Sequence, residues 1–183
     1  NYDKQEIKHV GGKNGYGAKL ANIYSLEFTI ETVDKQLGKK YIQTFYDNMT
    51  RKDKPKLTSY KSKPYTKITY KPEYSRFKSE GLTQDMMTIM EKRAYDIAAY
   101  TDTGLNVYFN GKKIECNNFE KYINLYIGNK QENTRIHEKI NDRWEIAAAM
   151  NPEEIFDQVS FVNGIHTSKG GKHVDYIVNQ LCK

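Results

Sequence analysis

The sequence predicts an α+β fold, in which short antiparallel strand pairs are interspersed with separate helices. Residues 27–46 alternate apolar and polar side chains on either side of a turn at Gly38, a pattern typical of a β-hairpin. Residues 83–99 combine a capping threonine with apolar residues at helical spacing. Asn110-Gly111 is the strongest short hairpin signal in the chain. Together these three segments predict hairpins and helices, as the α+β class requires.

Composition limits the class of protein without deciding its function. The 183 residues suit one large domain or two small ones, and the net charge of +6 permits contact with a polyanion without requiring one. Cys116 and Cys182 lie far apart and outside any C-x-x-C pair, which predicts free thiols rather than a zinc site. No signal peptide or membrane span is visible. The chain starts at Asn1 rather than Met, so we expect a fragment of a longer protein.

The first element is a glycine-rich loop, Gly11 to Lys19, followed directly by an apolar run that can open a helix. Glycine allows backbone N–H groups to approach an anion closely, and lysine adds a positive charge. A helix N-terminus behind such a loop is a favourable phosphate site. A flexible surface turn ahead of a helix explains the same residues equally well.

The spacing of this loop excludes two common nucleotide motifs. A Walker loop requires Lys and then Ser or Thr directly after its last glycine, whereas Ala18 follows Gly17 and the lysine comes one place late. The dinucleotide fingerprint fails because Leu20 occupies the place of its third glycine. The pattern that fits is G-x-x-G-x-G, starting at Gly12.

The remaining elements follow from periodicity and turn signals. Further strands are predicted at 66–70, 105–109, 112–115, 143–150 and 158–162, and further helices at 119–126 and 174–181. The helix over 83–99 is predicted to bury the apolar residues that share its helical spacing. These are Leu82, Met86, Ile89, Met90 and Ile97.

Residues 51–71 form a basic stretch with interleaved tyrosines. It contains eight basic residues and the single acid Asp53, and Tyr60, Tyr65 and Tyr70 lie among them. Such a stretch can bind a phosphate backbone, and the candidate DNA contacts are then Lys52, Lys54 and Lys56. Alternatively, it is a solvated loop between strands.

A second basic glycine loop, Thr167 to His173, also precedes a predicted helix. It can bind an anion at the helix N-terminus or serve as a plain strand-to-helix turn. The four histidines show no metal-ligand spacing, and no Ser/His/Asp arrangement or catalytic carboxylate pair is evident.

Five blocks of sequence, in order and at compatible spacing, resemble eukaryotic-type (type IIA) DNA topoisomerase II. They are His9 to Tyr24, Gln43 to Met49, Arg93 to Asp96, Tyr108 to Lys113, and Ser160 to Ile165 with its continuation Lys169 to Tyr176. The blocks cover nearly the whole chain, and the first is similar to the ATP-lid motif of that family.

The resemblance implies two domains. Residues 1–114 would be the C-terminal part of a GHKL (Bergerat) ATPase domain, an α/β sandwich, and residues 115–183 the first part of a ribosomal-protein-S5-like transducer domain. In this family ATP binding closes a homodimer gate, and one DNA duplex passes through a transient break in another.

The resemblance also implies which residues contact the nucleotide. They are Asn1, Gly12, Lys13, Asn14, Gly15, Tyr16, Gly17, Ala18 and Lys19. Lys13 stands where many relatives have arginine, which would make its phosphate contact less bidentate. The second glycine loop matches a transducer signature and not a nucleotide contact.

The expected cofactors are ATP and Mg²⁺, yet residues 1–183 would hold no catalytic or metal-binding residue. The family's general-base glutamate and magnesium-ligating asparagine would lie upstream of Asn1, and its γ-phosphate lysine downstream of Lys183. The expected location is intracellular, in the nucleus of a cellular eukaryote or otherwise at viral or organellar DNA. The competing function is a non-enzymatic, basic nucleic-acid-binding module.

Overall fold

The computed structural model describes residues 10–12, 14–101 and 103–182. These separate into two compact units, the first covering 14–82 and the second 83–182 together with 10–12. The predicted domain boundary at 114/115 lies inside the second unit and stays a prediction. Within the described ranges, no helix is both long and apolar enough to cross a membrane.

The first unit is one helix and an antiparallel sheet. Its elements are α1 (Tyr16–Ile23), β1 (Ser25–Asp34), β2 (Lys39–Tyr46), β3 (Arg51–Lys52), β4 (Lys56–Ser59), β5 (Thr66–Pro72) and a 3₁₀ turn (Tyr74–Phe77). The strand order is β3-β2-β1-β5, and β4 also pairs with β2. The predicted hairpin over 27–46 and the strand over 66–70 are therefore confirmed, whereas the basic stretch contains strands as well as loops.

The register assigns the side chains of this sheet to two faces. Phe28, only 1% exposed, pairs with Phe45 on β2 and with Tyr70 on β5, so these three rings share the more apolar face. Because alternate residues point to opposite sides of a strand, Glu27 and Glu31 lie on the other face.

The second unit combines three helices with three small hairpins. Its elements are α2 (Gln84–Tyr100), β6 (Tyr108–Phe109), β7 (Lys112–Lys113), α3 (Phe119–Ile127), β8 (Arg135–Asn141), β9 (Trp144–Ala149), β10 (Phe161–Val162), β11 (Ile165–His166) and α4 (Lys172–Leu181). Asn110 and Gly111 both have positive φ, as a type I′ turn requires, which confirms the predicted hairpin between β6 and β7. The predicted helices over 83–99, 119–126 and 174–181 are also confirmed.

The core of the second unit forms around the C-terminal half of α2. Ala94, Ala98 and Ala99 pack with Ile114, Cys116 and Tyr122, and small alanines allow the neighbouring elements to approach the helix closely. Asp96 is buried in the same region, where its carboxylate accepts hydrogen bonds from Lys92 at 2.9 Å and from the Tyr122 hydroxyl at 2.6 Å. The buried charge is thus compensated, as low-dielectric burial demands.

The predicted core face of α2 is wrong. Leu82, Met86, Ile89 and Met90 are exposed, with Ile89 at 67%, and Ile97 is half-buried. The apolar spacing does indicate a helix, but the buried side chains of this helix are three alanines and Asp96, all in its second half. The physical reason is that only this half of α2 meets the packed residues from Ile114 to Tyr122.

Candidate nucleotide-binding loop

The part of the glycine loop that belongs to the first unit leads into an open helix N-terminus. Gly15 is the N-cap residue of α1 with φ 68° and ψ 16°, and as a glycine it makes no side-chain cap hydrogen bond. The first turn contains no acidic residue, and its residues from Tyr16 to Lys19 are exposed. A helix N-terminus carries partial positive charge on N–H groups that lack intrahelical partners, so this end suits an anion.

The glycines of this loop leave space for a ligand to approach the backbone closely. Within the part of the chain that the structure describes, a Cβ added at Gly15 or Gly17 would meet no atom within 4 Å. Packing inside the chain therefore does not require glycine at position 17, whereas a ligand resting on the backbone would. At Gly15 the positive φ itself favours glycine.

The opposite end of α1 is held by a polar cluster. The Asn48 side-chain amide donates to the carbonyl oxygen of Ile23 at 2.8 Å and to the Glu73 carboxylate at 2.9 Å. Arg76 donates to the same carboxylate at 2.6 Å, and this contact, followed by that of Asn48, lowers the pKa of Glu73. The cluster ties the C-terminal end of α1 to the turn after β2 and to the residue after β5.

Some of the predicted nucleotide contacts lie within the described residues and others do not. Asn1 and Lys13 lie outside the described residues. Gly12 belongs to the second unit, where its neighbour Gly11 packs against Ile165, and Asn14 to Lys19 belong to the first unit. Gly12, Asn14 and Lys19 are all exposed.

The predicted DNA contacts Lys52, Lys54 and Lys56 are exposed but do not share a face. Lys52 pairs with Phe45 and Lys56 pairs with Ile42. These two partners are three residues apart on β2 and therefore point to opposite sides of the sheet. Lys54 lies in the link between β3 and β4.

The second glycine loop is held by a cluster of two hydroxyls and one imidazole, which the sequence alone did not indicate. Nε2 of His173 lies 3.1 Å from the hydroxyl oxygens of both Ser160 and Thr167, which are 2.6 Å from each other. Gly170 and Gly171 have φ 69° and 145°, which allows the sharp entry into α4. These internal contacts fit a strand-to-helix turn. Thirteen residues separate Ser160 from His173, so no local motif indicated the pair.

Two of the sequence blocks that resemble the family, Arg93 to Asp96 and Ser160 to Ile165, are in contact within the second unit. A guanidinium nitrogen of Arg93 donates to the carbonyl oxygen of Gly164 at 2.8 Å, in the turn between β10 and β11. A Cβ at Gly164 would lie 2.6 Å from the Tyr100 ring, so this glycine is required sterically. Among the described residues, no group of three or more His, Cys, Asp or Glu side chains could hold a metal ion.

Comparison with known proteins relates the chain to one family. The model of the DNA gyrase B family matches residues 116–183. DNA topoisomerase 2 of Acanthamoeba polyphaga mimivirus is 47% identical over 184 residues, which cover 99% of this chain and 14% of that protein. DNA topoisomerase 2-alpha of Homo sapiens is 44% identical over 186 residues, covering 99% of this chain and 12% of that protein.

Solved structures give the same result at the level of the fold. The ATPase region of Saccharomyces cerevisiae topoisomerase II is 47% identical with a TM-score of 0.88, covering 98% of this chain and 47% of that one. The ATPase and transducer domains of DNA topoisomerase II from Balamuthia mandrillaris are 43% identical with a TM-score of 0.87, covering 99% of this chain and 46% of that one. The chain thus spans a small part of the curated relatives and just under half of each solved chain.

Proposed function

The chain belongs to the DNA topoisomerase II family, and we propose that it contributes the ATP lid and the first part of a transducer. Residues 1–114 would complete the C-terminal side of a GHKL ATPase domain, and residues 115–183 would begin the transducer. The match to the DNA gyrase B family model begins at residue 116, which supports this boundary.

The open N-terminus of α1 is the observation that carries the proposed ATP site. Backbone N–H groups of Tyr16, Gly17 and Ala18, beside the side chains of Asn14 and Lys19, would meet the phosphates of ATP. Asn1, Gly12, Lys13 and Gly15 complete the proposed contact set. An uncapped helix end without an acidic first turn has the donors and the charge that a triphosphate needs.

The intact protein would couple ATP hydrolysis to the passage of one DNA duplex through another. Its activity would be that of an ATP-hydrolysing type IIA topoisomerase, which acts as a homodimer at cellular, viral or organellar DNA. Mg²⁺ would neutralise charge on the phosphates, held by residues other than those described. The similarity along the whole chain supports this function over a non-enzymatic nucleic-acid-binding module.

Replacing Lys19 with alanine in the longer parent protein tests the lid assignment. Loss of a charged contact to phosphate should weaken the binding of a non-hydrolysable ATP analogue by roughly tenfold or more. Isothermal titration calorimetry measures the affinity directly. The matched control is Lys35→Ala, which removes another exposed lysine, from the turn between β1 and β2. Equal affinities in the two variants would contradict the assignment.

A further inference from the structure

We propose that one face of the sheet in the first unit binds the phosphate backbone of a DNA duplex. We call it the basic face and define it by Arg51, Lys56, Lys67 and Lys71, which surround Glu27 and Glu31. The choice of DNA rests on the proposed function, whereas the electrostatic argument rests on the register of the strands alone.

The first row of the basic face crosses four strands. Lys56 on β4 pairs with Ile42 on β2, Ile42 pairs with Glu31 on β1, and Glu31 pairs with Lys67 on β5. Directly paired residues share a face of a sheet. Three strand spacings separate the two lysines, a backbone distance of about 14 Å.

A second row repeats this arrangement four residues nearer the start of β1. Arg51 on β3 pairs with Tyr46, Tyr46 pairs with Glu27, and Glu27 pairs with Lys71. The two rows lie about 13 Å apart along the strands. Cations therefore occupy both edges of the face, and Glu27 and Glu31 lie on the central strand between them. A third carboxylate, that of Asp53, accepts a hydrogen bond from the Tyr46 hydroxyl at 3.0 Å beside Arg51.

Each carboxylate on the central strand is paired with a lysine. Lys71 lies 3.6 Å from the Glu27 carboxylate, and Lys40 lies 3.4 Å from that of Glu31. The Tyr65 hydroxyl also donates to Glu31, and this hydrogen bond is the main reason that the pKa of Glu31 is lowered, so the carboxylate stays charged. The paired lysines balance the charge of both acids and so reduce their repulsion of an approaching polyanion.

Lys56 and Lys67 carry the positive charge that remains. Arg51 forms an ion pair with Asp47 at 3.3 Å. For Lys56 and Lys67, no carboxylate lies within 4 Å among the residues that the structure describes, and both side chains are exposed. Their separation of about 14 Å is close to the width of the DNA major groove, about 12 Å, so together they can contact phosphates on its two sides.

The connector between β4 and β5 adds two further lysines and is held in place. The rings of Tyr60 and Tyr65 pack edge to face at 6.0 Å, and the amide of Tyr60 donates to the carbonyl oxygen of Gly38 at 2.8 Å. Between these anchors, Lys61 and Lys63 are exposed. A connector fixed at both ends loses less conformational entropy when its lysines bind.

The tyrosines of the basic stretch indicate a duplex rather than a single strand. Binding to single strands relies on aromatic rings on which bases stack. Here Tyr60 packs on Tyr65, Tyr70 packs 6.1 Å from Phe28 on the opposite face, and the Arg51 guanidinium covers the Tyr46 ring at 4.1 Å. Because these rings are engaged within the chain, the remaining attraction is electrostatic and independent of base sequence.

The test measures binding of this chain to a labelled 20-base-pair duplex by fluorescence anisotropy between 50 and 200 mM salt. The Lys56→Gln/Lys67→Gln variant should bind roughly tenfold more weakly at low salt, and its slope of log K against log salt should be shallower by about 2. The matched control is Lys112→Gln/Lys113→Gln, which removes the same charge from exposed strand β7 of the second unit and should change neither quantity. Circular dichroism checks that both variants unfold at the same temperature as the unchanged chain.

Three results would overturn the proposal. The first is an equal loss of duplex binding in both double variants. The second is single-stranded DNA bound as tightly as the duplex. The third is a Lys56→Gln/Lys67→Gln variant that keeps its affinity for the duplex but loses binding to phosphatidylserine vesicles. The proposed ATP site is tested independently of the basic face. In the longer parent protein, Lys56→Gln/Lys67→Gln should leave the affinity for the ATP analogue unchanged, whereas Lys19→Ala should lower it.

Discussion

At Gly15 the backbone takes φ 68°, which an L-residue with a Cβ adopts only under strain, and α1 begins at the next residue. The position therefore sets both the start of the helix and the direction of its first N–H groups. Gly17, in the first turn, is free of packing constraints within the described residues. At the scale of single residues, one glycine shapes the loop, and the other leaves room for the proposed phosphate.

Glu73 offers a second test at this scale because it anchors the other end of α1. Its pKa is lowered by Arg76 and then by Asn48, so its charged form stabilises the folded state. This contribution is present above the usual pKa of about 4.5 and is lost as the pH falls through the lower pKa of the folded state. We expect Glu73→Gln to lower the thermal unfolding midpoint at pH 7 and to flatten its fall below about pH 4.5. Circular dichroism melts from pH 7 to pH 3 measure both effects.

The control for this prediction is Glu80→Gln, an exposed glutamate of the same unit. If the two variants showed the same midpoint at every pH, the Glu73 cluster would not hold α1 in place.

At the scale of elements, local patterns decided most of the secondary structure. The alternation in 27–46, the Thr83 cap and the Asn110-Gly111 turn each act within a few residues, and each prediction is confirmed. Asn163-Gly164 carries the same hairpin signal and forms the turn between β10 and β11, whereas the prediction for this part of the chain was a strand over 158–162 alone. That turn could have been found from the sequence.

Other elements depend on contacts that no local pattern contains. Strand β8, Arg135–Asn141, has only two apolar residues, Ile136 and Ile140, and both are exposed. It therefore lacks the alternation by which strands are recognised, and its pairing with β9 defines it. The buried half of α2 is set by packing against residues from Ile114 to Tyr122, which helical spacing alone cannot indicate. The cluster of Ser160, Thr167 and His173 likewise exists only because the chain folds back.

The candidate site shows the same division between local and long-range information. The glycine loop and the helix behind it follow from sequence, and the structure supplies the uncapped end and the anchor at Asn48. For the basic stretch, the lysines were visible but their faces were not. Strand register separates Lys52 from Lys56 and places Lys56 in one row with Lys67.

At the scale of the whole molecule, we propose that the chain supplies a lid and part of a transducer, and that the residues which hydrolyse ATP lie outside it. We predict that purified 1–183 shows no ATP hydrolysis above background, because positioned general acid–base residues are needed for turnover and none is proposed here. A phosphate-release assay measures the rate. Turnover that falls in the Lys19→Ala variant would place the catalytic residues within this chain.

The central claim is that the first turn of α1 binds the phosphates of ATP through its backbone. Hydrogen exchange of the longer parent protein, with and without a non-hydrolysable ATP analogue, tests it most directly. We expect slower exchange of the Tyr16, Gly17 and Ala18 amides when the analogue is bound, because each N–H group gains an acceptor. Unchanged exchange at these three amides, at an analogue concentration that saturates the protein, would contradict it.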